Sequence, residues 1–365
     1  MFTADDHRHM ARALQLAERG LYTTDPNPRV GCLLVRDGAV VGEGWHERAG
    51  EAHAEVHALC AAGERARGAT AYVTLEPCCH HGRTPPCSDA LIAAGVARVV
   101  AGLEDPNPRV AGGGLAQLQA AGIATQSGLL AAESAALNPG FVSRMRRGRP
   151  YVRCKLAMSL DGRTAMASGE SKWITGAPAR ADVQRLRARS SAIVTGIGTV
   201  LADDPALTVR LPDAGTLNPL RVVLDHGLRT PPMARLLREP GTTLVIGTSE
   251  AEAPREALLV AGAEIVLLEA VHGRMALADV LEVLAARAIN EVLIESGPTL
   301  AGAFLQAGLV DELVIYMAPA LMGDGARGLF HLPGLERMDQ KLALDIRDIR
   351  KVGADWRITA VVKNT

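Results

Sequence analysis

The sequence lacks an excess of charge of either sign, a long apolar run and an abundance of cysteine. Its 39 Lys and Arg residues nearly balance 40 Asp and Glu residues, which argues against a chain whose main task is to bind a phosphate backbone. No segment offers about 18 consecutive uncharged apolar residues, and the N-terminal segment has no apolar core of signal-peptide length. Six cysteines among 365 residues are too few for a disulfide scaffold. We therefore expect a cytoplasmic protein with reduced thiols that binds neither nucleic acid nor a membrane.

What the sequence does contain is the composition of an ordinary globular protein. Hydrophobic residues make up 48% and charged residues 22% of the chain, and these values exclude the disordered and fibrous classes. A length of 365 residues corresponds to about two domains, each long enough to bury a sizeable core. The sequence contains no internal repeat or low-complexity tract.

Helical and strand patterns alternate along the N-terminal part of the chain. Apolar residues at helical spacing predict a first helix that ends at Gly20, and alternating or continuous apolar segments predict strands. The predicted helices cover residues 5–19, 53–65, 88–94 and 115–121, and the predicted strands cover residues 30–35, 39–44, 70–75 and 96–102. This order is typical of an α/β layer fold with a central sheet.

A basic, proline-bounded run covers residues 144–150. Because the whole chain is neutral, we interpret this run as a solvated connector rather than a nucleic-acid patch. We place a domain boundary there, with domains at 1–147 and 148–365. Beyond it, a helix is predicted over residues 277–286, and strands over residues 151–157, 192–195, 221–225, 243–247, 264–268, 291–295, 312–317, 342–351 and 356–362. The pattern indicates a second α/β domain with its own sheet.

Cysteines and histidines crowd into one stretch of the first domain. His53 and Glu55 open a predicted helix, Cys78 follows a predicted strand, and Cys87 lies nine residues later. One imidazole and two thiolates would give a zinc ion three protein ligands and leave its fourth position for water, as in catalytic sites. Glu55 is too close to His53 along the helix to share the metal comfortably, and it is better placed to carry a proton to a departing amine. H-x-E followed by P-C is typical of zinc-dependent base deaminases, although here eight residues separate the two cysteines instead of two.

Other interpretations of this stretch remain open. Cys79 could replace Cys78 as a ligand. Alternatively, His80 or His81 could be the fourth ligand of a structural zinc site in an interaction protein that has no catalytic activity. A protease-type zinc pair that includes His57 is disfavoured because the glutamate then occupies the wrong internal position. A nucleic-acid-editing deaminase is the main rival from another class. Three further cysteines are expected to be ordinary buried residues: Cys32, Cys60 and Cys154.

Three segments carry a specific resemblance to a known family: residues 27–31, 53–59 and 74–87. They resemble the deaminase half of the bifunctional riboflavin-biosynthesis deaminase/reductase family, whose Gly-Arg-Thr-Pro-Pro insert separates it from cytidine and tRNA-adenosine deaminases. The resemblance implies a cytidine-deaminase-like, three-layer α/β/α fold with one catalytic Zn²⁺ and a ribosylated diaminopyrimidinone 5′-phosphate as substrate. Gly113 stands where this family leads us to expect a larger, often basic residue. By motif position, the resemblance implies substrate contacts from Asn27, His46, His80, Arg83 and Asn107.

Four segments of the second domain form another group: residues 155–162, 168–175, 199–210 and 295–302. In the last segment, a strand, a glycine turn at Gly297 and a helix that opens on Pro298 predict free N–H groups suited to a pyrophosphate, although a simple tight turn has the same pattern. The absence of a full G-x-G-x-x-G after a strand argues against a Rossmann domain. Together the segments resemble the reductase half of the same family, which implies a dihydrofolate-reductase-like α/β fold that uses NADPH.

This second resemblance implies a set of residue roles, a product and a partner. The product is a ribitylamino uracil phosphate, formed by deamination and then reduction, and the partner is a second copy of the chain, paired through the reductase domain. Lys155 is a further polar partner for the pyrimidine or its ring-opened ribose, and Arg187 and Arg210 suit a phosphate because a guanidinium offers paired donors. Cofactor contacts are expected from Ala157, Trp173, Thr199, Asp203, His226, Gly297, Pro298 and Thr299. Substrate contacts are expected from Ser171, Arg187, Leu207, Arg210 and Glu295.

Overall fold

The computed structural model describes residues 1–80, 85–108, 110–211 and 218–363. The chain divides into two compact units, Met1–Gly148 and Arg149–Thr365, and each has its own sheet and core. Within the described residues, every helix is too short or too polar to cross a membrane.

The first unit is a sheet covered by helices on both faces. Its helices are α1 (Ala4–Glu18), α2 (Ala54–Ala62), α3 (Cys87–Ala94), α4 (Gly113–Ala120), α5 (Ala131–Leu137) and α6 (Pro139–Arg147), and its strands are β1 (Gly31–Arg36), β2 (Ala39–Trp45), β3 (Thr70–Leu75), β4 (Arg98–Leu103) and β5 (Ala124–Ser127). In the order β2-β1-β3-β4-β5, β1 is antiparallel to β2 and β3, whereas β3, β4 and β5 are parallel. Apolar side chains of α1 pack on one face of the sheet, and those of α2, α3 and α4 pack on the other.

Helix α1 begins where Thr3 and Asp6 bond to each other's backbone. The Asp6 N–H donates to Thr3 Oγ1 (3.1 Å), and the Thr3 N–H donates to Asp6 Oδ2 (2.8 Å), an arrangement that satisfies two N–H groups of the first turn. Asp6 also accepts hydrogen bonds from the Tyr72 hydroxyl on β3 (2.7 Å) and from Arg98 on β4 (2.8 Å). Burial alone would raise the pKa of Asp6, but these hydrogen bonds hold it well below its usual range. The ionised carboxylate therefore ties α1 to the sheet.

Helix α2 lies directly against β2 because two glycines leave room for it. A Cβ atom at Gly42 would lie 2.2 Å from the Ala58 carbonyl oxygen, and one at Gly44 would lie 2.3 Å from the Ala54 carbonyl oxygen. Any side chain at these positions would push the helix away from the sheet. The close approach brings the start of α2, with His53 and Glu55, to the edge of the sheet.

The second unit contains a nine-stranded sheet. The strands of this unit are β6 (Tyr151–Ser159), β7 (Arg163–Ala165), β8 (Ala192–Gly196), β9 (Leu220–Leu224), β10 (Thr243–Gly247), β11 (Glu264–Leu267), β12 (Ala270–Val271), β13 (Arg274–Met275), β14 (Glu291–Glu295), β15 (Glu312–Ala318), β16 (Arg327–Gly328), β17 (Leu344–Val352) and β18 (Asp355–Val362). Strands β12 and β13 pair with each other, as do β7 and β16, outside the large sheet. The helices of this unit are α7 (Ala177–Ala188), α8 (Ile197–Asp203), α9 (Arg235–Arg238), α10 (Glu252–Val260), α11 (Leu277–Ala286) and α12 (Pro298–Gln306). The order of the large sheet is β11-β10-β9-β8-β14-β6-β15-β18-β17. Its strands are parallel from β11 to β15, and β18 and β17 continue it antiparallel.

The structure differs from the sequence-based expectation in the basic run at residues 144–150. Helix α6 extends to Arg147, so the first four residues of this run belong to a helix that the sequence pattern did not predict, although Arg146 and Arg147 are exposed to solvent. Pro139 occupies the first turn of α6, where a proline costs no hydrogen bond, and Phe141 packs against Leu75 and Leu103. The predicted helix over residues 53–65 is α-helical only to Ala62, and the chain then forms a short 3₁₀-helix over Gly63–Ala66.

A buried ion network joins three strands in the middle of the large sheet. Arg153 on β6 is 1% exposed. Its Nη1 lies 3.0 Å from Glu291 Oε2 on β14, and its Nε lies 2.6 Å from Glu312 Oε1 on β15. Arg189 Nε approaches the same Glu291 oxygen at 3.3 Å. Because these carboxylates have little access to water, they depend on the guanidinium groups for compensation.

We predict that Arg153→Leu lowers the free energy of unfolding by about 3–5 kcal/mol, because it leaves carboxylates without their buried partner. The matched control is Arg337→Leu, which breaks an exposed 3.0 Å pair with Asp339 and should cost less than about 1 kcal/mol. Urea unfolding, followed by circular dichroism, measures both. Equal unfolding midpoints for the two variants would show that the buried network contributes no more to stability than an exposed ion pair does.

Candidate metal centre and reductase site

Three segments bring the predicted metal ligands together in the first unit. His53 is the residue before α2, Cys87 is the first residue of α3, and Cys78 follows β3. His53 Nδ1 lies 3.2 Å from Cys87 Sγ and 3.6 Å from Cys78 Sγ. Each of the three side chains places one donor atom within 4.8 Å of the other two.

The donor set fits a zinc ion. Zinc accepts imidazole nitrogen and thiolate sulfur, and three protein ligands leave a position for a reactant. The thiol of Cys87, with help from His53, lowers the pKa of Cys78 to about 4, and the Cys87 backbone N–H donates to Cys78 Sγ at 3.3 Å. The hydrogen bond to Cys78 raises the pKa of Cys87 in turn. A bound cation would stabilise both cysteines as thiolates.

Glu55 lies in the first turn of α2 and is 3% exposed. Burial raises the pKa of Glu55 to about 7, so its carboxyl group can both accept and release a proton near neutral pH. Glu55 does not belong to the group of three candidate metal ligands. The arrangement thus separates the metal ligands from a candidate proton carrier.

The alternative ligands do not join the cluster. Cys79 faces Gly113, whose Cβ position would lie 2.8 Å from Cys79 Sγ. His57 and His80 are likewise absent from the ligand group found among the described residues, and His81 lies outside those residues. Cys32 and Cys154 are buried as expected, but the prediction for Cys60 is wrong, because its side chain is exposed on α2.

Two predicted substrate contacts lie beside the metal ligands. The ring of His46 meets the ring of His53 edge-on, with 5.3 Å between centroids. His46 Nδ1 lies 3.0 Å from the Ala52 carbonyl oxygen, which can only accept, so the proton belongs on Nδ1 and Nε2 accepts from the Asn27 amide at 3.1 Å. Burial lowers the pKa of His46 and keeps the ring neutral. Asn27 and His46 thus form a fixed polar wall.

The remaining predicted contacts of this unit are less tightly defined. Asn107 follows β4, and its N–H donates to Asp105 Oδ1 at 2.8 Å. His80 is exposed, and Arg83 lies outside the described residues. Sequence reasoning missed Asp105 and Glu76, which are both buried near the site; burial raises the pKa of Asp105 to about 6. Their positions directly after parallel strands were the available signal.

In the second unit, three predicted substrate residues meet where β14 ends beside the middle of β6. Lys155 on β6 is opposite Glu295 on β14, and Arg187 on α7 binds Glu295 through Nε (2.6 Å) and Nη2 (3.0 Å). Arg187 Nη1 also donates to the Thr208 carbonyl oxygen at 3.0 Å. Burial alone would raise the pKa of Glu295, but Arg187 and Lys155 lower it, so the carboxylate is ionised. Burial lowers the pKa of Lys155.

The other predicted substrate contacts lie in the surrounding loops. Leu207 is buried, Ser171 is half-buried, and Arg210 is exposed. The guanidinium of Arg210 makes no hydrogen bond to a described residue, whereas that of Arg187 is engaged by Glu295. Arg210 is therefore the more available phosphate ligand of the two.

Three of the predicted cofactor residues form the start of α12, shortly after the carboxyl end of β14. Gly297 precedes α12, and Pro298 and Thr299 form its first turn. Apart from its chain neighbours, no atom of the described residues lies within 4 Å of a Cβ position at Gly297. The free N–H groups at such a helix start suit a pyrophosphate, so these residues fit NADPH. A cavity of about 330 Å³ opens beside Pro298 and Thr299.

The other predicted cofactor contacts lie on or next to β6, α8 and β9 and in the segment between β7 and α7. Thr199 and Asp203 belong to α8, and Asp203 pairs with Lys172 at 3.3 Å. Trp173 is exposed, with the Arg180 guanidinium 4.7 Å from its ring centroid. Ala157 is on β6, and His226 follows β9 and contacts Thr248.

Comparisons with known proteins cover both units. Residues 3–103 match the family described as the cytidine and deoxycytidylate deaminase zinc-binding region, and residues 150–358 match the RibD C-terminal domain. The riboflavin biosynthesis protein RibD of Escherichia coli (strain K12) is 55% identical, with 96% of this chain and 97% of that protein covered. This chain belongs to the RibD family.

Further RibD proteins agree over the full length. RibD of Haemophilus influenzae is 46% identical, with 99% of each chain covered. The solved structure of Acinetobacter baumannii RibD, form 1, has a TM-score of 0.93 at 47% identity, with 99% of each chain covered. A Thermotoga maritima structure titled diaminohydroxyphosphoribosylaminopyrimidine deaminase/5-amino-6-(5-phosphoribosylamino)uracil reductase has a TM-score of 0.88 at 34% identity, with 98% of this chain and 99% of that chain covered. The predicted fold class, the RibD-type pairing of two enzymes and the use of zinc and NADPH are thereby confirmed.

We predict that Cys78→Ser abolishes stoichiometric zinc binding, whereas Cys79→Ser retains one zinc per chain. The reason is that Cys78 Sγ belongs to the three-atom cluster and Cys79 Sγ faces Gly113. Metal analysis of the two purified variants, matched in residue type and adjacent in the chain, measures the difference. Loss of zinc from the Cys79 variant alone would assign the ligand to Cys79.

Proposed function

We propose that the chain performs two consecutive reactions of riboflavin biosynthesis. The first hydrolyses the exocyclic amine of 2,5-diamino-6-ribosylamino-4(3H)-pyrimidinone 5′-phosphate and releases ammonia. The second uses NADPH to reduce the ribosyl side chain to ribityl, giving 5-amino-6-ribitylamino uracil phosphate. The observation that carries the proposal is the cluster of His53, Cys78 and Cys87 beside the buried Glu55, in a chain that matches RibD proteins over its whole length.

In the first site, the chain supplies binding and a proton carrier. His53, Cys78 and Cys87 would hold the zinc, which when bound supplies a Lewis acid that activates water. Glu55 takes a proton at a carboxylate oxygen and returns it to the departing amine, a task that suits a carboxyl group whose pKa is about 7.

The proposed substrate contacts orient the pyrimidine. The polar wall formed by Asn27 and His46 stands next to His53 and offers hydrogen bonds of fixed direction, while Asn107 approaches from the segment after β4. His80 and Arg83 are proposed to meet the ribose phosphate, since a guanidinium offers paired donors to its oxygens.

In the second site, the nicotinamide supplies the hydride, and the chain orients the sugar that receives it. Arg187 fixes the Glu295 carboxylate with two hydrogen bonds, and Lys155 stands on the neighbouring strand. These charged groups suit the hydroxyl groups of a ring-opened ribose. We assign the phosphate of this substrate to Arg210.

We also propose that two copies pair through the reductase unit. Strand β17 ends the nine-stranded sheet, and its Ile346 and Ile349 are each 54% exposed. An edge strand with unpaired backbone groups and exposed isoleucines offers a surface for pairing, and its charged side chains could form ion pairs with those of the second copy. A cytoplasmic location is supported by six free cysteines, two of which are needed as thiolates. The balanced charge of the chain supports small-molecule substrates rather than a nucleic-acid partner.

We predict that Glu55→Gln retains one zinc per chain but slows ammonia release by at least about 10²-fold, because the amide cannot carry the proton. The matched control is Glu64→Gln, since Glu64 is exposed in the 3₁₀-helix after α2. Ammonia release and NADPH oxidation with the deaminated substrate are measured on the same preparation. A near-normal rate of ammonia release in Glu55→Gln would contradict the proton-carrier role.

We predict that Arg210→Ala raises the KM of the reductase for its phosphorylated substrate by about tenfold or more, because it removes a charge-assisted hydrogen bond. The KM for NADPH should not change. Arg185→Ala is the control, because Arg185 is exposed on α7 and forms only a 3.5 Å pair with Asp182. An equal KM for the two variants would remove Arg210 from the phosphate site.

A further inference from the structure

Glu76 is a buried carboxylate that neither the metal nor the proton transfer uses. It follows β3 and is 3% exposed. Its side chain accepts four backbone hydrogen bonds: from the N–H groups of Asp105 (3.1 Å) and Gly112 (2.9 Å) at Oε2, and from those of Gly114 (2.9 Å) and Leu115 (3.2 Å) at Oε1. One side chain thus holds the segment between β4 and α4 at both ends.

The chemistry of these bonds requires a carboxylate. Gly114 and Leu115 lie in the first turn of α4, where N–H groups have no acceptor within the helix and negative charge is favoured. An ionised carboxylate offers acceptor positions on both oxygens. A carboxamide would offer one oxygen and would point an NH₂ group at two N–H donors, so Glu76→Gln loses bonds without changing the size of the side chain.

The four bonds connect two parts of the deaminase site. The segment between Asp105 and Gly112 contains Asn107, whose N–H is itself fixed by Asp105 Oδ1 at 2.8 Å. On the other side, a Cβ at Gly114 would lie 1.9 Å from the carbonyl oxygen of Pro77, so the start of α4 touches the residue before the metal-ligating cysteine. Glu76 therefore ties the segment that carries Asn107 to the segment that carries a metal ligand.

We propose that Glu76 is a positioning residue of the deaminase site, which holds Asp105 and Gly112, on either side of Asn107 in the chain, against the Pro77–Cys78 segment so that Asn107 meets the pyrimidine substrate. This inference rests on the proposed function. Glu76 acts on substrate binding rather than on metal binding, because its oxygens are occupied by backbone donors and it is not one of the clustered ligand atoms.

The test compares Glu76→Gln with Glu104→Gln in the full-length zinc enzyme. Glu104 is exposed in the same segment, so its substitution removes an equal charge and serves as the matched control. In Glu76→Gln, the KM for the diaminopyrimidinone phosphate should rise by about tenfold or more, with kcat and zinc content within about twofold of the unsubstituted enzyme, as expected for lost bonds to a charged acceptor. A fall in kcat in proportion to lost zinc, with KM unchanged, would make Glu76 merely structural and overturn the proposal.

A double substitution tests whether Glu76 acts through Asn107. If it does, the KM of Glu76→Gln/Asn107→Ala equals that of the more affected single variant, because the second change removes a contact already lost. If the KM increase of the double variant instead equals the product of the two single increases, Glu76 does not act through Asn107 and this part of the proposal is overturned.

Hydrogen exchange on the unsubstituted protein keeps the proposal testable if Glu76→Gln does not fold. The Gly114 and Leu115 amides should exchange far more slowly than unprotected first-turn amides, because Glu76 is their acceptor; exchange at the unprotected rate would overturn the proposal. Failure of the proposed function is distinguishable, because the unsubstituted enzyme would then release no ammonia whatever the state of Glu76.

Discussion

Backbone N–H groups at helix starts meet negative charge at the deaminase centre, and the rest of that site depends on this interaction. The start of α3 donates to the sulfur of Cys78, and the start of α4 donates to Glu76. In the reductase unit, the start of α12 is left open over Gly297, which suits an anionic cofactor. Because helix starts carry partial positive charge and unpaired donors, parallel strands followed by helices place such ends on one edge of each sheet.

Burial and neighbouring charges then set the pKa values of the carboxyl groups at these sites. Glu55 is deeply buried, and burial raises its pKa to about 7 although the charge of His53 lowers it. Glu295 is also buried, but Arg187 and Lys155 keep its pKa low. The two carboxylates therefore suit different tasks: one exchanges a proton, and the other holds a fixed negative charge beside the sugar. This difference follows from their neighbours rather than from their residue type.

Much of this arrangement can be predicted from local spacing, and the remainder depends on contacts that spacing does not encode. His53, Glu55, Cys78 and Cys87 are recognisable because one motif fixes their roles. Glu76 lies in the same motif, yet its four donors come from residues 29 to 39 positions further on, and such pairing cannot be predicted without the fold. The helical form of residues 144–147 and the exposure of Cys60 were missed for the same reason, since both depend on tertiary packing.

The most direct test of the central claim, that one chain deaminates and then reduces, is to follow ammonia release and NADPH oxidation together before and after zinc removal. With zinc, the account predicts that the diaminopyrimidinone phosphate yields ammonia first and that NADPH oxidation follows. Without zinc, both signals should vanish with this substrate, while the deaminated substrate is still reduced at its normal rate. NADPH oxidation by the zinc-free enzyme with the diamino substrate would contradict the account.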